Sequence, residues 1–330
     1  MQIKSLGEFG LISRIARIAA AADPLVVKAI GDDAAVVSLG RGRCLLMTTD
    51  LLKEGIHFKT AFSSPFLLGK KCLSVNLSDI AAMGGEPTYY VVSLAAPPET
   101  PYGFVRDLYR GMAAQARRFG ASLLGGDTTA SQDGLVVSIT LLGKARQAQV
   151  LYRHGARPGE LVYVTGTLGD SALGLALLHG GRAGPHNRLV RRHLDPQPRL
   201  AAGQVLARTH AASAMMDISD GLAGDLRHIM EQSGVGARIF LDRLPLSAAY
   251  RTYCPACAGN FYLPALGGGE DYELLFTAPA EKEKTVRLIS KRLGLPMTCI
   301  GRITGKRPGL TLIGSDGKPA RLPEAGFRHF

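Results

Sequence analysis

Six short stretches place carboxylates beside glycines or at the ends of apolar runs: IGDDAAV (30–36), TTD (48–50), NLSD (76–79), LGGDTT (124–129), DISDG (217–221) and GGGEDYE (267–273). A carboxylate in apolar surroundings is costly unless it is paired. One such residue on its own reads as a helix cap or a turn starter. Asp220 alone would cap a helix starting at Gly221, and Asp32 alone would start a turn. Six junctions together constrain the fold more tightly, because strand ends gather at one edge of a layered domain. A chain of this pattern brings several negative charges to one place, and something positive has to lie between them. Oxygen ligands without accompanying His or Cys suit Mg²⁺. A Mg²⁺ site takes one or two carboxylates plus substrate phosphates, so this many carboxylates suggests several Mg²⁺ ions on a nucleoside triphosphate.

The usual phosphate-binding signatures are missing. The chain has no G-x-x-x-x-G-K-[ST] loop and no paired H-R-D and D-F-G motifs. The glycines of LLGGDTT and LGGGED can still bring backbone N–H groups close to phosphate oxygens. These features point to an ATP user outside the common phosphate-loop classes.

Hydrophobic periodicity sets out the elements around these junctions. LISRIARIAAA (11–21) has helical apolar spacing, and RCLLMTTDLL (43–52) reads as a buried strand ending in Thr48, Thr49 and Asp50. A long helix is predicted over 64–85, stopped by Gly84-Gly85, and a strand over 88–97. A second helix (101–120) closed by Gly120 and strands at SLLGGDTT and 135–145 complete a β-α-β-α-β-β order. The turn-rich YRHGARPGE (152–160) marks a boundary. Beyond it, the strand LVYVTG, the helix LGDSALGLALLHGG, a helical stretch at 199–208 and further alternation follow. We expect an α+β chain of two layered domains, 1–148 and 149–330. NLSDIAAMGG and DISDGLAGDL both place an SD pair ahead of small residues, an echo too short to establish duplication.

Composition excludes several classes. With 46% hydrophobic and 20% charged residues the chain is globular. No apolar run approaches the ~20 residues of a membrane span, so no membrane partner is expected. MQIKSLGEFG lacks the basic-then-apolar order of a secretory signal, so the cytoplasm is expected. Cys44, Cys72, Cys254, Cys257 and Cys299 are scattered, and CPAC has no second pair, which argues against a disulfide framework or a zinc site. The net charge of +12 favours anionic partners. Yet the basic residues of RRFG, LVRRHLD and ISKRLG are spread out, and only 6% of residues are aromatic. That is the pattern of a solvated basic surface, and no nucleic-acid partner is expected.

GEFGLI, IGDDAAV, TTDLLKEGIHF, KCLSVNLSDIAAMGGEP, LLGGDTT, VTGTLGDSALGL, MDISDGLAGDL and GGGEDYELLF occur in this order. In these motifs the chain resembles the thiamine-monophosphate kinases, within the superfamily of aminoimidazole ribonucleotide synthetase and selenophosphate synthetase. The likeness runs from Gly7 to the C-terminus. It implies an aminoimidazole-ribonucleotide-synthetase-like fold, with a C-terminal α/β sandwich and N-terminal domains that pair into a β-barrel in a homodimer. It also implies direct transfer of the ATP γ-phosphoryl group to thiamine monophosphate, with Mg²⁺ between the domains and ATP near the dimer interface.

The same resemblance implies roles for individual residues. Asp33, Asp50, Asp79, Asp127, Asp217 and Asp220 would be Mg²⁺ ligands, with Thr48 and Thr49 completing the shell. Gly126 and Asp127 match the nucleotide-phosphate segment, and Tyr109, Arg153 and Ser219 match ATP-contacting positions. His57, Glu270 and Phe327 match substrate positions, Phe327 offering a stacking face to a cationic ring. Asp225 matches no ligand position and is expected to be an ordinary helical carboxylate. No Asp–His or Ser–His pair stands out as a general base, and an already ionised phosphate acceptor needs none.

Read without the family, His57 is a loop histidine bonding locally, Arg153 decorates the linker and Phe327 is an apolar plug. A selenophosphate-synthetase-like chain would carry a reactive Cys in its N-terminal segment, which here has Lys4 and no Cys. A basic nucleic-acid-binding module would explain the charge but not the ordered aspartates.

Overall fold

A computed structural model describes residues 2–182, 184, 186–254 and 261–320. The N-terminal half is built on a six-stranded sheet, in the order β1 (Val26–Lys28), β2 (Ala35–Ser38), β3 (Arg43–Lys53), β6 (Val136–Arg146), β4 (Glu86–Ala96) and β5 (Ser122–Ala130). Residues of β3 alternate between buried and exposed, with Cys44, Leu46, Thr48 and Leu52 inward and Met47, Thr49 and Leu51 outward. A strand aims successive side chains at opposite faces, so the whole sheet has one covered and one open side.

Helix α2 (Pro65–Ala82) covers the inner face. The Ser64 side chain accepts from the Leu67 N–H at its start, Pro65 occupies the first turn, and Gly84 adopts φ +69° just beyond its end. α2 lies against α3 (Tyr102–Phe119) with backbones in contact: a Cβ at Gly69 would sit 1.9 Å from the Leu108 carbonyl oxygen, and one at Gly111 2.0 Å from that of Phe66. Either glycine replaced by alanine would push the two helices apart.

The C-terminal half has a seven-stranded sheet among the described residues, in the order β13 (Pro319–Ala320), β12 (Leu310–Ile313), β9 (Gly236–Phe240), β11 (Met297–Thr304), β7 (Leu161–Thr165), β10 (Leu274–Ala278) and β8 (Ala214–Asp217). Its central strands are buried on both faces. Tyr163, Met215 and Phe276 pack with α6 (Leu200–Arg208) and the helix Glu283–Leu293 in a core continuous with that of the N-terminal half. Val164, Met216 and Leu275 pack on the other side with α4 (Asp170–His179) and α7 (Leu222–Ser233). The chain is thus a two-domain α+β protein whose halves share a core through α2 and α6, where Gly203 brings α6 against the Ala81 carbonyl.

Most predicted elements are present within a few residues of their expected limits; the first helix runs earlier, as α1 (Gly7–Ile18). The clearest difference is LVRRHLD, expected as solvated basic surface. It forms α5 (Arg188–Leu194), capped by the Asn187 side chain, and buries Leu189, Val190, His193 and Leu194. Cys254 is buried with its thiol on the Phe261 carbonyl, whereas Cys257 lies outside the described residues. No helix among the described residues is long and apolar enough to cross a membrane.

Candidate active site

Four of the acidic residues converge although they come from a loop, a strand interior, a helix and a strand end. Asp33 precedes β2, Asp50 lies on the inward row of β3, Asp79 is on the last turns of α2, and Asp217 ends β8. Ligand-type oxygens of Asp33, Asp79 and Asp217 all lie within 4.8 Å of one another. Asp50 is close enough to raise the proton affinity of both Asp79 and Asp217. Burial and the neighbouring Asp50, Asp217 and Asp33 push the Asp79 carboxyl well above its usual range. Burial, then Asp33, does the same to Asp217, and burial alone raises Asp50. Thr48 donates its hydroxyl to Asp79.

Arg153 is the main counter-charge, holding Asp33 through Nη2 at 2.6 Å and Nε at 3.1 Å. Its backbone N–H also donates to Asp32 at 3.2 Å. One guanidinium does not balance four carboxylates. Oδ2 of Asp33, of Asp50 and of Asp217 are buried with no hydrogen-bond partner. Orphaned oxygens on a hard, crowded donor set fit a divalent cation such as Mg²⁺.

The two C-terminal motif loops extend the β8–β10 pairing. The Ile218 N–H donates to the Glu273 carbonyl, the Tyr272 N–H to that of Ile218, and the Glu270 N–H to that of Ser219. Glu270 and Tyr272 adopt left-handed backbone at φ +64° and +50°. Gly221 turns the DISDG loop at φ +115°, where a Cβ would meet the Gly267 backbone at 2.8 Å. Asp225 is a buried carboxylate on α7 that accepts from the N–H groups of Asp220 (3.3 Å) and Gly221 (3.1 Å). It is therefore not the ordinary helical carboxylate expected from the sequence: it shapes the turn that presents Asp220.

A cavity of about 610 Å³ opens beside this cluster. Asp50, Ser219 and Asp220 line it together with His57, Phe62, His179 and Glu270. His57 faces the cavity and also accepts the Lys53 N–H on Nδ1 at 3.0 Å, so the local role and the site position coincide. The Glu270 carboxylate pairs with Lys71 Nζ at 2.9 Å and His193 Nδ1 at 3.1 Å. These partners outweigh burial and hold it ionised, with its pKa lowered to about 2.

Not every expected residue joins this group within one chain. Thr49 points to the outer face of β3, where it bonds Thr140 at 3.2 Å, because strand alternation aims it opposite to Thr48. Gly126 and Asp127 lie on the edge strand β5, three strands from Asp50 in register, or roughly 14 Å at the usual strand spacing. Tyr109 is on α3, half-buried against the core. Phe327 lies outside the described residues. Sequence reasoning did not single out Lys71, His193 or Tyr272; a buried Lys inside KKCLSVNLSD was the one available signal.

Two family models match the chain: AIR synthase related protein, N-terminal domain, over residues 31–145, and the corresponding C-terminal domain over 157–313. A thiamine-monophosphate kinase of Salmonella typhimurium is 38% identical over 328 residues, covering 98% of each chain. That of Bacillus subtilis is 37% identical, over 91% of this chain and 93% of its own. The chain belongs to the thiamine-monophosphate kinase family. A solved structure described as AaThiL complexed with AMPPCP and TMP superposes with a TM-score of 0.87 at 36% identity, covering 100% of this chain and 99% of that one. The two-sheet arrangement of this chain is thus shared with that solved relative.

Proposed function

We propose that this chain transfers the γ-phosphoryl group of ATP directly to thiamine monophosphate, giving thiamine diphosphate and ADP. One observation carries the reading: a single cavity runs from Asp50, the member of the carboxylate cluster that lines it, and Asp220 to an ionised carboxylate set among histidines and Phe62. The first end suits phosphates with cations, and the second suits a cationic heterocycle. The related structure named with AMPPCP and TMP supports the same pair of substrates.

Asp33, Asp50, Asp79, Asp217 and Asp220, with Thr48, would hold Mg²⁺, while the Thr49 side chain faces away from them. When bound, Mg²⁺ supplies the charge neutralisation that lets two phosphates approach. Arg153 fixes Asp33 and adds a positive charge at the nucleotide side, and Ser219 presents its loop to the phosphates. No residue need remove a proton, since the acceptor phosphate is already an anion.

We further propose that two chains pair through the open faces of their N-terminal sheets, closing a barrel. Met47, Leu51, Tyr89, Val91 and Leu124 leave that face apolar and exposed, and β5 leaves an edge unpaired among the described residues. Tyr109, Gly126 and Asp127 then serve nucleotide and metal at the pair's interface, and Phe327 serves the thiamine ring. In this reading residues 1–148 bind ATP and dimerise, and 149–330 complete the site.

An ADP-release assay with thiamine monophosphate, free thiamine and selenide as acceptors tests the substrate. Thiamine monophosphate alone is expected to support turnover; an equal rate with no acceptor would refute the proposal.

A further inference from the structure

The Glu270 loop, half-buried at Glu270 and buried from Asp271 to Glu273, is held by many contacts. Each of its four consecutive residues is pinned. The Glu270 carboxylate lies between Lys71 of α2 and His193 of α5. Asp271 accepts from the N–H groups of Gly169 at 2.6 Å and Ser171 at 3.3 Å. The Tyr272 N–H reaches the Ile218 carbonyl. The Glu273 carboxylate, fully buried, takes Arg192 at 2.6 Å, the Thr165 hydroxyl at 2.7 Å and a two-pronged contact from Arg199. Arg192 also reaches the Asp271 carbonyl at 3.3 Å, and Asp195 pairs with Lys70 of α2 at 2.5 Å.

Three of these anchors, Arg192, His193 and Arg199, come from one segment that carries no assigned role. Its charges turn inward, so the segment is not spare positive surface. His193 is buried and its Nδ1 lies 3.1 Å from both the Ser171 hydroxyl and the Glu270 carboxylate. A ring nitrogen facing a carboxylate carries the proton, which makes the imidazole an Nδ1–H donor. The left-handed backbone at Glu270 is a conformation that surrounding contacts have to impose.

We propose that residues 192–199 form a positioning element for the substrate, in which the Nδ1–H of His193 aims the Glu270 carboxylate into the cavity while Arg192 and Arg199, through Glu273, fix the loop that carries it. The inference rests on Glu270 facing the thiamine moiety. His193 is a positioning residue, because it acts through Glu270.

The test compares His193→Gln with His193→Asn in the full-length enzyme, titrating thiamine monophosphate at saturating ATP and Mg²⁺. Asparagine places an amide N–H where Nδ1 stands; glutamine places it at the Nε2 position. His193→Gln is expected to raise KM for thiamine monophosphate about tenfold, in keeping with a lost hydrogen bond to a charged group. KM for ATP should stay unchanged, and His193→Asn should recover to within about threefold of the parent. Equal KM in both variants, whether or not Tm falls, would overturn the positioning role. Glu270→Gln is the separating arm. If it raises KM and His193→Gln does not, positioning alone fails; if Glu270→Gln leaves KM unchanged, the placement of Glu270 at the substrate fails and takes the proposal with it.

Discussion

Asp79→Asn and Asp217→Asn are each expected to lower kcat by about 10³-fold or more, the scale on which charge-stabilising groups act in phosphoryl transfer. Both should at the same time raise the Tm of the metal-free protein. The second effect separates a cation site from a structural cluster. Asp33, Asp79 and Asp217 crowd their oxygens within 4.8 Å, and Oδ2 of Asp33, Asp50 and Asp217 has no partner. Removing one charge relieves repulsion that Arg153 balances only in part in the metal-free parent. The same cause gives a pH dependence. These carboxyls hold protons in the folded chain at pH values where the unfolded chain has released them. Metal-free stability should therefore fall as pH rises from about 4, the ordinary carboxyl range, towards neutrality. Added Mg²⁺ should raise Tm more at the high end of that range than at the low end. Loss of activity together with a lower Tm in both variants would return these residues to capping and packing.

Placing a charge on the open face of the N-terminal sheet is expected to be nearly as damaging. Leu51 is 54% exposed and Leu124 62% exposed, an unusual cost for a chain left alone in water. The unmodified protein should sediment at twice the 35.0 kDa of one chain. Leu51→Glu and Leu124→Glu should sediment as single chains and lose most of their turnover, because Asp127 on β5 lies far from the Asp50 cluster within one chain. A single-chain species with full activity would remove both the pairing and the role of Asp127.

Much of this site is legible in the sequence. Asp33 and Asp217 stand at element ends, where periodicity breaks, whereas Asp50 lies inside β3 and Asp79 inside α2, each a carboxylate set into a largely apolar element. Side-chain alternation on β3 was equally available: once Asp50 faces inward, Thr48 must follow and Thr49 must not. What stayed hidden depends on long-range pairing. Arg192 and His193 look like any basic helix face until α5 is seen packed against the Glu270 loop. Asp225 looks like a surface helical acid until the two N–H groups it accepts from are known. Lys71 sits on a helix buried nearly all round, so its partner belongs to the other half of the chain, 199 residues away. Periodicity reports which face is apolar, and on such a helix it cannot report which polar groups meet.

Direct phosphoryl transfer is tested most closely by following the γ-phosphate of labelled ATP in the presence of thiamine monophosphate and Mg²⁺. The expected result is label in the terminal phosphate of thiamine diphosphate, in equal amount to the ADP formed. Label appearing as inorganic phosphate, with thiamine monophosphate unchanged, would contradict the account.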